Sequence, residues 1–470
     1  MFFNSIDFFI FLLIVLFCYW CLVNKSIKLQ NILVLVASYV FYGWWDYRFL
    51  SLIAISTTID YFVGLRLYAS RDRAIRKRWL WVSIVCNIGL LGFFKYYNFF
   101  VESWVEMFFA FGYTIKSTWT LNVILPVGIS FYTFQTLSYA IDIYKEKLKP
   151  TKDFIAFATF VSFFPQLVAG PIERASNLLP QFLEQRKYTY HNVSSGVKLM
   201  IWGFFLKLVV ADRAAIYVDA VYNNIDNHEG LSFIAATILF AFQIYGDFAG
   251  YSLIAIGTAK FFGFHLMTNF RRPYFSASVS EFWTRWHISL STWFRDYLYI
   301  PLGGNRVVKI RWLFNLFITF LISGLWHGAN WTFVIWGALN GIYLIIEVLW
   351  FKKDRKGIAT IFLTFCLINF AWIFFRANSI DDALHMIKVI FTSPGRLYIG
   401  SGDDIAASIY ATLAIAILLF VEFKKEYFDT LFSISKSKYE MIRIIGYAIV
   451  VFMILYLGVF GKSQFIYFQF

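Results

Sequence analysis

Two histidines lie where a histidine is expensive. His327 sits in Ser323-Gly324-Leu325-Trp326-His327-Gly328-Ala329, between the apolar runs Trp312 to Trp326 and Trp331 to Trp350. An ionisable group inside a membrane segment is by default a candidate functional group. Desolvation disfavours the charged imidazolium and leaves a neutral ring that can take up a proton, which is what a general base requires. His287 lies in Phe282-Trp283-Thr284-Arg285-Trp286-His287-Ile288-Ser289-Leu290-Ser291-Thr292-Trp293-Phe294-Arg295-Asp296-Tyr297. Ser278 and Glu281 before it have capping-box spacing, so the stretch reads as one amphipathic helix. At about 100° per residue, Trp283, Leu290, Phe294 and Leu298 fall on the side of His287, whereas Arg285, Ile288, Thr292 and Arg295 point away. A single histidine on an apolar face is more often a satisfied core residue than a catalyst. Two in one chain strengthen the chemical reading.

Asp247, in Gln243-Ile244-Tyr245-Gly246-Asp247-Phe248-Ala249-Gly250-Tyr251, is an acid inside another apolar run and must be paired or neutral. It either orients a catalytic histidine or bonds a neighbouring helix. Gln135 and Asp142 pose the same choice, with packing favoured. Gly324 and Gly328 remove side-chain bulk around His327, for a substrate or for a packed helix. His191, His228 and His385 stand in polar or terminal contexts and carry no comparable signal. Cys18, Cys21, Cys86 and Cys366 lie in apolar segments without the second Cys/His pair of a zinc site, so packing is expected and no metal. Gly-x-Ser-x-Gly, P-loop, dinucleotide-glycine and zinc-metalloprotease motifs are missing from the sequence.

The elements that must position these groups are membrane helices. With 60% hydrophobic residues, 15% charged residues and a mean hydropathy of +0.63, 470 residues do not make a water-soluble globule. The 22% aromatic content suits interfacial belts and bulky helix packing. The formal charge of +14 comes in short clusters between apolar runs, which points to membrane topology and not to nucleic acid.

Apolar segments fall near 5–23, 29–44, 49–65, 79–94, 121–143, 194–222, 231–258, 312–326, 331–350, 358–375, 405–423 and 444–461. The first is expected to be a retained span with the N-terminus outside, because no positive residue precedes Phe8 to Val23 while Lys25 and Lys28 follow. This order puts Arg66 to Arg78, Lys145 to Lys152, His265 to Arg311, Lys352 to Lys356 and Lys424 to Arg443 on the cytoplasmic side, and the acidic Asn223 to Glu229 and Asp403 to Asp404 outside. Phe99 to Tyr113 and Phe154 to Ala169 break the parity and are read as interfacial or re-entrant. The run Trp312 to Trp326 rises roughly 22 Å at 1.5 Å per residue, short of a roughly 30 Å hydrocarbon core, so the hairpin apex holding His327 should sit at depth. Neither repeats nor a linker are apparent, and residues 1–470 read as a single membrane domain. The fold expected is all-α, a polytopic transmembrane bundle of about a dozen crossings. The basic stretch Arg271 to Arg311, ending in the turn Pro301-Leu302-Gly303-Gly304-Asn305, suits either a phosphorylated cofactor, with Arg295 and Asn305 as candidate contacts, or anionic lipid.

Several stretches in order resemble one family: Tyr39-Val40-Phe41-Tyr42-Gly43-Trp44-Trp45, Pro126-Val127-Gly128-Ile129-Ser130-Phe131-Tyr132-Thr133-Phe134-Gln135, Phe164-Pro165-Gln166-Leu167-Val168-Ala169-Gly170-Pro171-Ile172, Trp286-His287-Ile288-Ser289-Leu290-Ser291, Tyr297-Leu298-Tyr299-Ile300-Pro301-Leu302-Gly303-Gly304-Asn305 and Leu325-Trp326-His327-Gly328-Ala329. The set resembles the membrane-bound O-acyltransferase superfamily, most closely the bacterial branch that O-acetylates alginate and other polysaccharides, over nearly the whole chain.

The resemblance implies helices around a central catalytic passage in the bacterial cytoplasmic (inner) membrane. Acetyl-CoA would enter from the cytoplasm as donor substrate, with no permanently bound cofactor. An exported acetyltransferase partner would carry the group to an extracytoplasmic polysaccharide such as alginate. His327 matches the principal catalytic histidine. His287 matches a second active-site position, Asn or His by branch. Trp286, Trp326 and Asn330 flank the two motifs as substrate or second-layer candidates, and Asp247 also matches. Leu253 departs, because many relatives carry an acid there. The rivals are transfer of a fatty acyl or D-alanyl unit to lipid, teichoic acid or protein, and a proton-coupled transporter. Few buried carboxylates and no inverted repeat favour the enzyme.

Overall fold

The computed structural model describes residues 1–113, 119–121, 123–168, 170–351, 357–400, 403–428, 437, 439–461 and 465–466. Among them every regular element is helical: α1 Ile6–Phe17, α2 Ile27–Gly43, α3 Leu50–Ala69, α4 Arg73–Leu91, α5 Tyr97–Ala110, α6 Ile129–Tyr144, α7 Phe154–Ser162, α8 Phe164–Leu167, α9 Ala175–Leu183, α10 Tyr190–Phe204, α11 Asp212–Tyr222, α12 Gly230–Phe261, α13 Val279–Arg285, α14 Ile288–Phe294, α15 Lys309–His327, α16 Trp331–Trp350, α17 Ile358–Arg376, α18 Ile380–Thr392, α19 Asp403–Tyr427 and α20 Glu440–Leu457. Nine helical segments among the described residues are long and apolar enough to cross a membrane, and Ile6–Leu22, Ile27–Gly43 and Phe154–Leu167 are shorter apolar helices. The protein is a polytopic helical membrane protein. The cluster Lys352 to Lys356 lies outside the described residues.

The described residues pack as two compact units, one within 1–196 and 255–267, the other within 197–254 and 268–470. In the first unit two expected elements take another form. The segment 121–143 becomes helical only at Ile129, after Gly128 at φ 76°, and α6 is buried on nearly every side. A helix apolar and enclosed all round belongs to the protein interior and not to the lipid boundary. Phe99 to Tyr113 is not a separate interfacial element. Through a π-helical turn at Gly92–Tyr96 it continues α4 into one helical segment, Arg73–Ala110, of 38 residues. Phe154 to Leu167 is a helix broken at Phe163, with Pro165 opening its second piece and both pieces buried. Gln135 packs as expected, its Nε2 donating to the Phe160 carbonyl at 2.8 Å. Asp60, a buried acid that the hydropathy reading passed over, accepts from Ser83 Oγ at 2.5 Å and Asn87 Nδ2 at 2.7 Å.

In the second unit the antiparallel hairpin α15–α16 dominates. Its helices touch through glycine. A β-carbon on Gly324 would stand 2.3 Å from the Phe333 carbonyl oxygen, and one on Gly337 2.4 Å from that of Phe320. A β-carbon on Gly328 would press closer still, into the Phe333 ring. Gly324 and Gly328 therefore serve the closure of the hairpin. A similar contact joins Gly203 of α10 to Gly250 of α12, where an added β-carbon would meet carbonyl oxygen at 2.7–2.8 Å. The chain leaves α10 through a π-helical turn, Phe205–Ala211, which carries Lys207.

Candidate active site

His327 is the last residue of α15, 4% exposed, at the apex of the hairpin. The apex is closed by Asn330, which caps α16: its Oδ1 accepts from the Thr332 N–H at 2.9 Å and its Nδ2 donates to the Asn378 carbonyl at 3.4 Å. Asn330 thus holds the turn that presents His327. Around the ring stand Trp326 and Trp336, each with its centroid 5.0 Å away, and Phe375 at 5.4 Å.

His287 is 1% exposed, but it does not ride on a continuous amphipathic helix. Ser278 caps α13, its Oγ accepting from the Glu281 N–H at 3.0 Å, while the Glu281 carboxylate accepts from the Ala277 N–H at 2.8 Å and not from Ser278 as a full capping box would have it; α13 then ends at Arg285. The chain turns at Trp286-His287 and restarts as α14 at Ile288. His287 occupies the left-handed region, φ 42°, ψ 54°, which costs a residue with a β-carbon about 1–2 kcal/mol. The interruption swings the ring out of the helical register and toward α15. The His287 and His327 centroids are 6.5 Å apart and their planes are inclined by 54°. Phe248 of α12 meets His287 edge-on at 4.5 Å, and the Trp326 centroid lies 6.2 Å away. Burial pushes the His287 ring well below the usual imidazole range, so it is neutral. Trp286 is 1% exposed and fills the space beside it, stacked on Phe282 at 5.4 Å and against Trp372 at 5.3 Å.

Asp247 is held in a buried ion pair. Its Oδ1 pairs with Lys207 Nζ at 2.6 Å and its Oδ2 accepts from the Ile466 N–H at 2.6 Å, while Lys207 also reaches Asp212 at 2.8 Å. Its partners are a lysine on the π-helical turn and a backbone amide. Lys207 itself was missed, because scattered charges such as Lys198 and Lys207 leave the run 194–222 apolar on average.

Three of the seven basic side chains between Arg271 and Arg311 are matched by acid. Arg272 pairs with Glu426 at 2.6 Å, and Arg285 with Glu426 at 2.9 Å and with Glu281 at 2.5 Å. Arg295 pairs with Asp296 at 2.8 Å and keeps most of its side chain exposed. It borders a cavity of about 670 Å³ between α13–α14 and the hairpin, which also takes in Tyr299, Trp312, Trp283, Phe320 and Ser323. Ser323 lies one turn before His327. Trp283 reaches Trp336 at 5.6 Å, and Trp336 reaches His327, so one indole layer stands between cavity and imidazole. Asn305 is on the exposed side of the turn. The amide that organises this turn is Asn315 of α15, fully buried, whose Nδ2 donates to the carbonyls of Leu302 at 3.1 Å and Gly304 at 3.0 Å. Among the described residues no group of three or more His, Cys, Asp or Glu could hold a metal ion.

At a centroid separation of 6.5 Å the two imidazoles are close enough to act on one reacting group.

Residues 147–376 match the model of the membrane-bound O-acyltransferase family, and that interval contains both histidines. Over 369 residues, 78% of this chain and 73% of its relative, the sequence is 42% identical to the probable alginate O-acetylase AlgI of Azotobacter vinelandii. It is 42% identical to that of Pseudomonas aeruginosa over 370 residues, 78% and 70% of the two chains. To the peptidoglycan O-acetyltransferase of Helicobacter pylori it is 38% identical over 400 residues, 77% and 74% of the two chains.

Proposed function

This chain belongs to the membrane-bound O-acyltransferase family, and from that premise we propose that it moves an acetyl group from acetyl-CoA to an extracytoplasmic polysaccharide, with His327 as general base. The relatives' names favour acetyl as the acyl unit and a glycan, such as alginate or peptidoglycan, as the acceptor. The observation that carries the reading is the pair of buried imidazoles 6.5 Å apart. In the reaction the acceptor hydroxyl oxygen attacks the thioester carbonyl carbon, and His327 takes the hydroxyl proton. His287 is neutral and still holds one N–H, which is directed at the oxyanion as it forms. Collapse breaks the carbon–sulfur bond, and His327 returns the proton to the leaving thiolate, so ester and free CoA thiol form without net proton uptake.

The donor side of this scheme is the cavity of about 670 Å³ bordered by Arg295 and ending near Ser323. It is mostly apolar, with a guanidinium at its edge suited to a phosphorylated carrier. Bound there, acetyl-CoA would place its phosphorylated nucleotide end at that edge and its thioester toward the Trp283–Trp336 layer beside His327. The Lys/Arg distribution supports a cytoplasmic donor face, an N-terminus outside and residence in the bacterial inner membrane. An exported acetyltransferase partner would complete delivery to the glycan. The test is purified protein in lipid with radiolabelled acetyl-CoA and an acceptor glycan, with and without the partner. Donor consumption tied to ester formation supports the proposal. Proton current or solute flux without donor consumption overturns it.

A further inference from the structure

Helix α14 begins at a residue that does not cap it. His287 occupies the N-cap position and makes no side-chain cap bond, so the first N–H groups of the helix need acceptors from elsewhere. Asn269, eighteen residues earlier, supplies them. Its main-chain carbonyl takes the Ile288 N–H at 2.9 Å, and its Oδ1 takes both the Ser289 N–H at 3.2 Å and the Ser289 hydroxyl at 2.9 Å. Its Nδ2 donates in turn to Ser252 Oγ on α12 at 3.2 Å. Asn269, Ser252 and Ser289 are all 2% exposed or less, so these bonds have no solvent to replace them. Trp286, before the turn, is held from the other side by its N–H on the Phe282 carbonyl at 2.8 Å and by Ser291 Oγ on its own carbonyl at 3.1 Å. The left-handed turn at His287 is clamped at both ends, and α12 on which the clamp rests also carries Phe248 against the ring.

We infer that Asn269 is the positioning residue of the proposed active site: a cap supplied from outside the helix that holds His287 in its left-handed conformation and aims its ring at His327. The inference rests on the role proposed for His287 and adds a residue to it. Asn269 touches no reacting atom. It acts through the backbone of residues 287–289.

Two readouts test this. In protein labelled with ¹³C-histidine, the His287 resonances are assigned by their loss in His287→Asn. Asn269→Ala is expected to shift or broaden them while the signals of the other five histidines stay in place. Unchanged His287 signals overturn the inference whether or not the protein turns over acetyl-CoA. In the transfer assay, Asn269→Ala is expected to lower kcat by about 10²-fold with KM for acetyl-CoA unchanged, the scale of a 1 Å misplacement, and Asn269→Asp, which keeps the acceptor to Ser289, to recover most of it. In the His287→Ala background the same Asn269→Ala change should cost nothing more, because its effect passes through the missing ring. An equal loss in both backgrounds marks Asn269 as structural only and overturns the inference. Absence of transfer by the wild-type protein would strike the functional proposal alone, with the resonance test still standing.

Discussion

His287 and His327, forty residues apart in the chain, face one another across 6.5 Å because one stands on a left-handed turn and the other at the tip of a helical hairpin. Neither placement is a property of helix periodicity. Each depends on where a helix stops.

Removing the base is the first consequence. His327→Ala should lower acetyl transfer by about 10² to 10⁴-fold, the usual worth of general-base assistance, while the protein inserts and folds as before. A variant retaining wild-type transfer would remove His327 from the mechanism.

The backbone at 287 sets an order among substitutions. Asparagine tolerates the left-handed region and retains a hydrogen-bond donor, so His287→Asn should lose less activity than His287→Ala, which has the β-carbon penalty of about 1–2 kcal/mol and no donor. Equal losses in kcat would show that no hydrogen bond from this position assists the reaction.

His287 also makes a prediction in pH. Its folded-state value is depressed by burial, so its contribution to stability is fully present above the unfolded value near 6.5 and is lost as pH falls through the lower folded value. The difference in thermal midpoint between wild type and His287→Asn should stay constant above about pH 6.5 and move in favour of the variant below it. A difference that does not change with pH would contradict a neutral, buried ring.

Asp247 separates stability from chemistry. Its partner is Lys207, and both side chains are almost wholly buried, so Asp247→Ala leaves a buried ammonium short of one carboxylate, a loss on the order of 3–5 kcal/mol. Thermal stability and yield should fall, whereas kcat of the folded fraction should stay within about threefold. A large fall in kcat at unchanged stability would return Asp247 to the role of orienting a histidine.

The hairpin contact makes the last prediction. Gly324→Ala and Gly337→Ala each drive a methyl group into a carbonyl oxygen of the facing helix, and overpacking of this kind costs about 1–3 kcal/mol. Both should lower the thermal midpoint, and Gly324→Ala, one turn from His327, should lower kcat as well. Wild-type melting for both variants would mean that the helices separate without cost.

Much of this protein was determined by its sequence alone. Membrane residence follows from composition, since no arrangement of so apolar a chain provides a water-compatible surface. The apex at His327 follows from an apolar run ended by Gly328 and restarted at Asn330, although the helix that carries it begins at Lys309 and, at 19 residues, is long enough to cross a membrane. Only the tertiary structure decided the rest. The stretch 278–297 contains neither proline nor glycine and reads as one helix, but it breaks at His287, where the helix restarts on acceptors that Asn269 brings from outside it. Lys207 was submerged in an apolar run until α12 placed Asp247 beside it. Hydropathy and periodicity sum local preferences of about 1 kcal/mol or less per residue, and a few buried hydrogen bonds and ion pairs between distant residues exceed that sum at the positions where the chemistry is held.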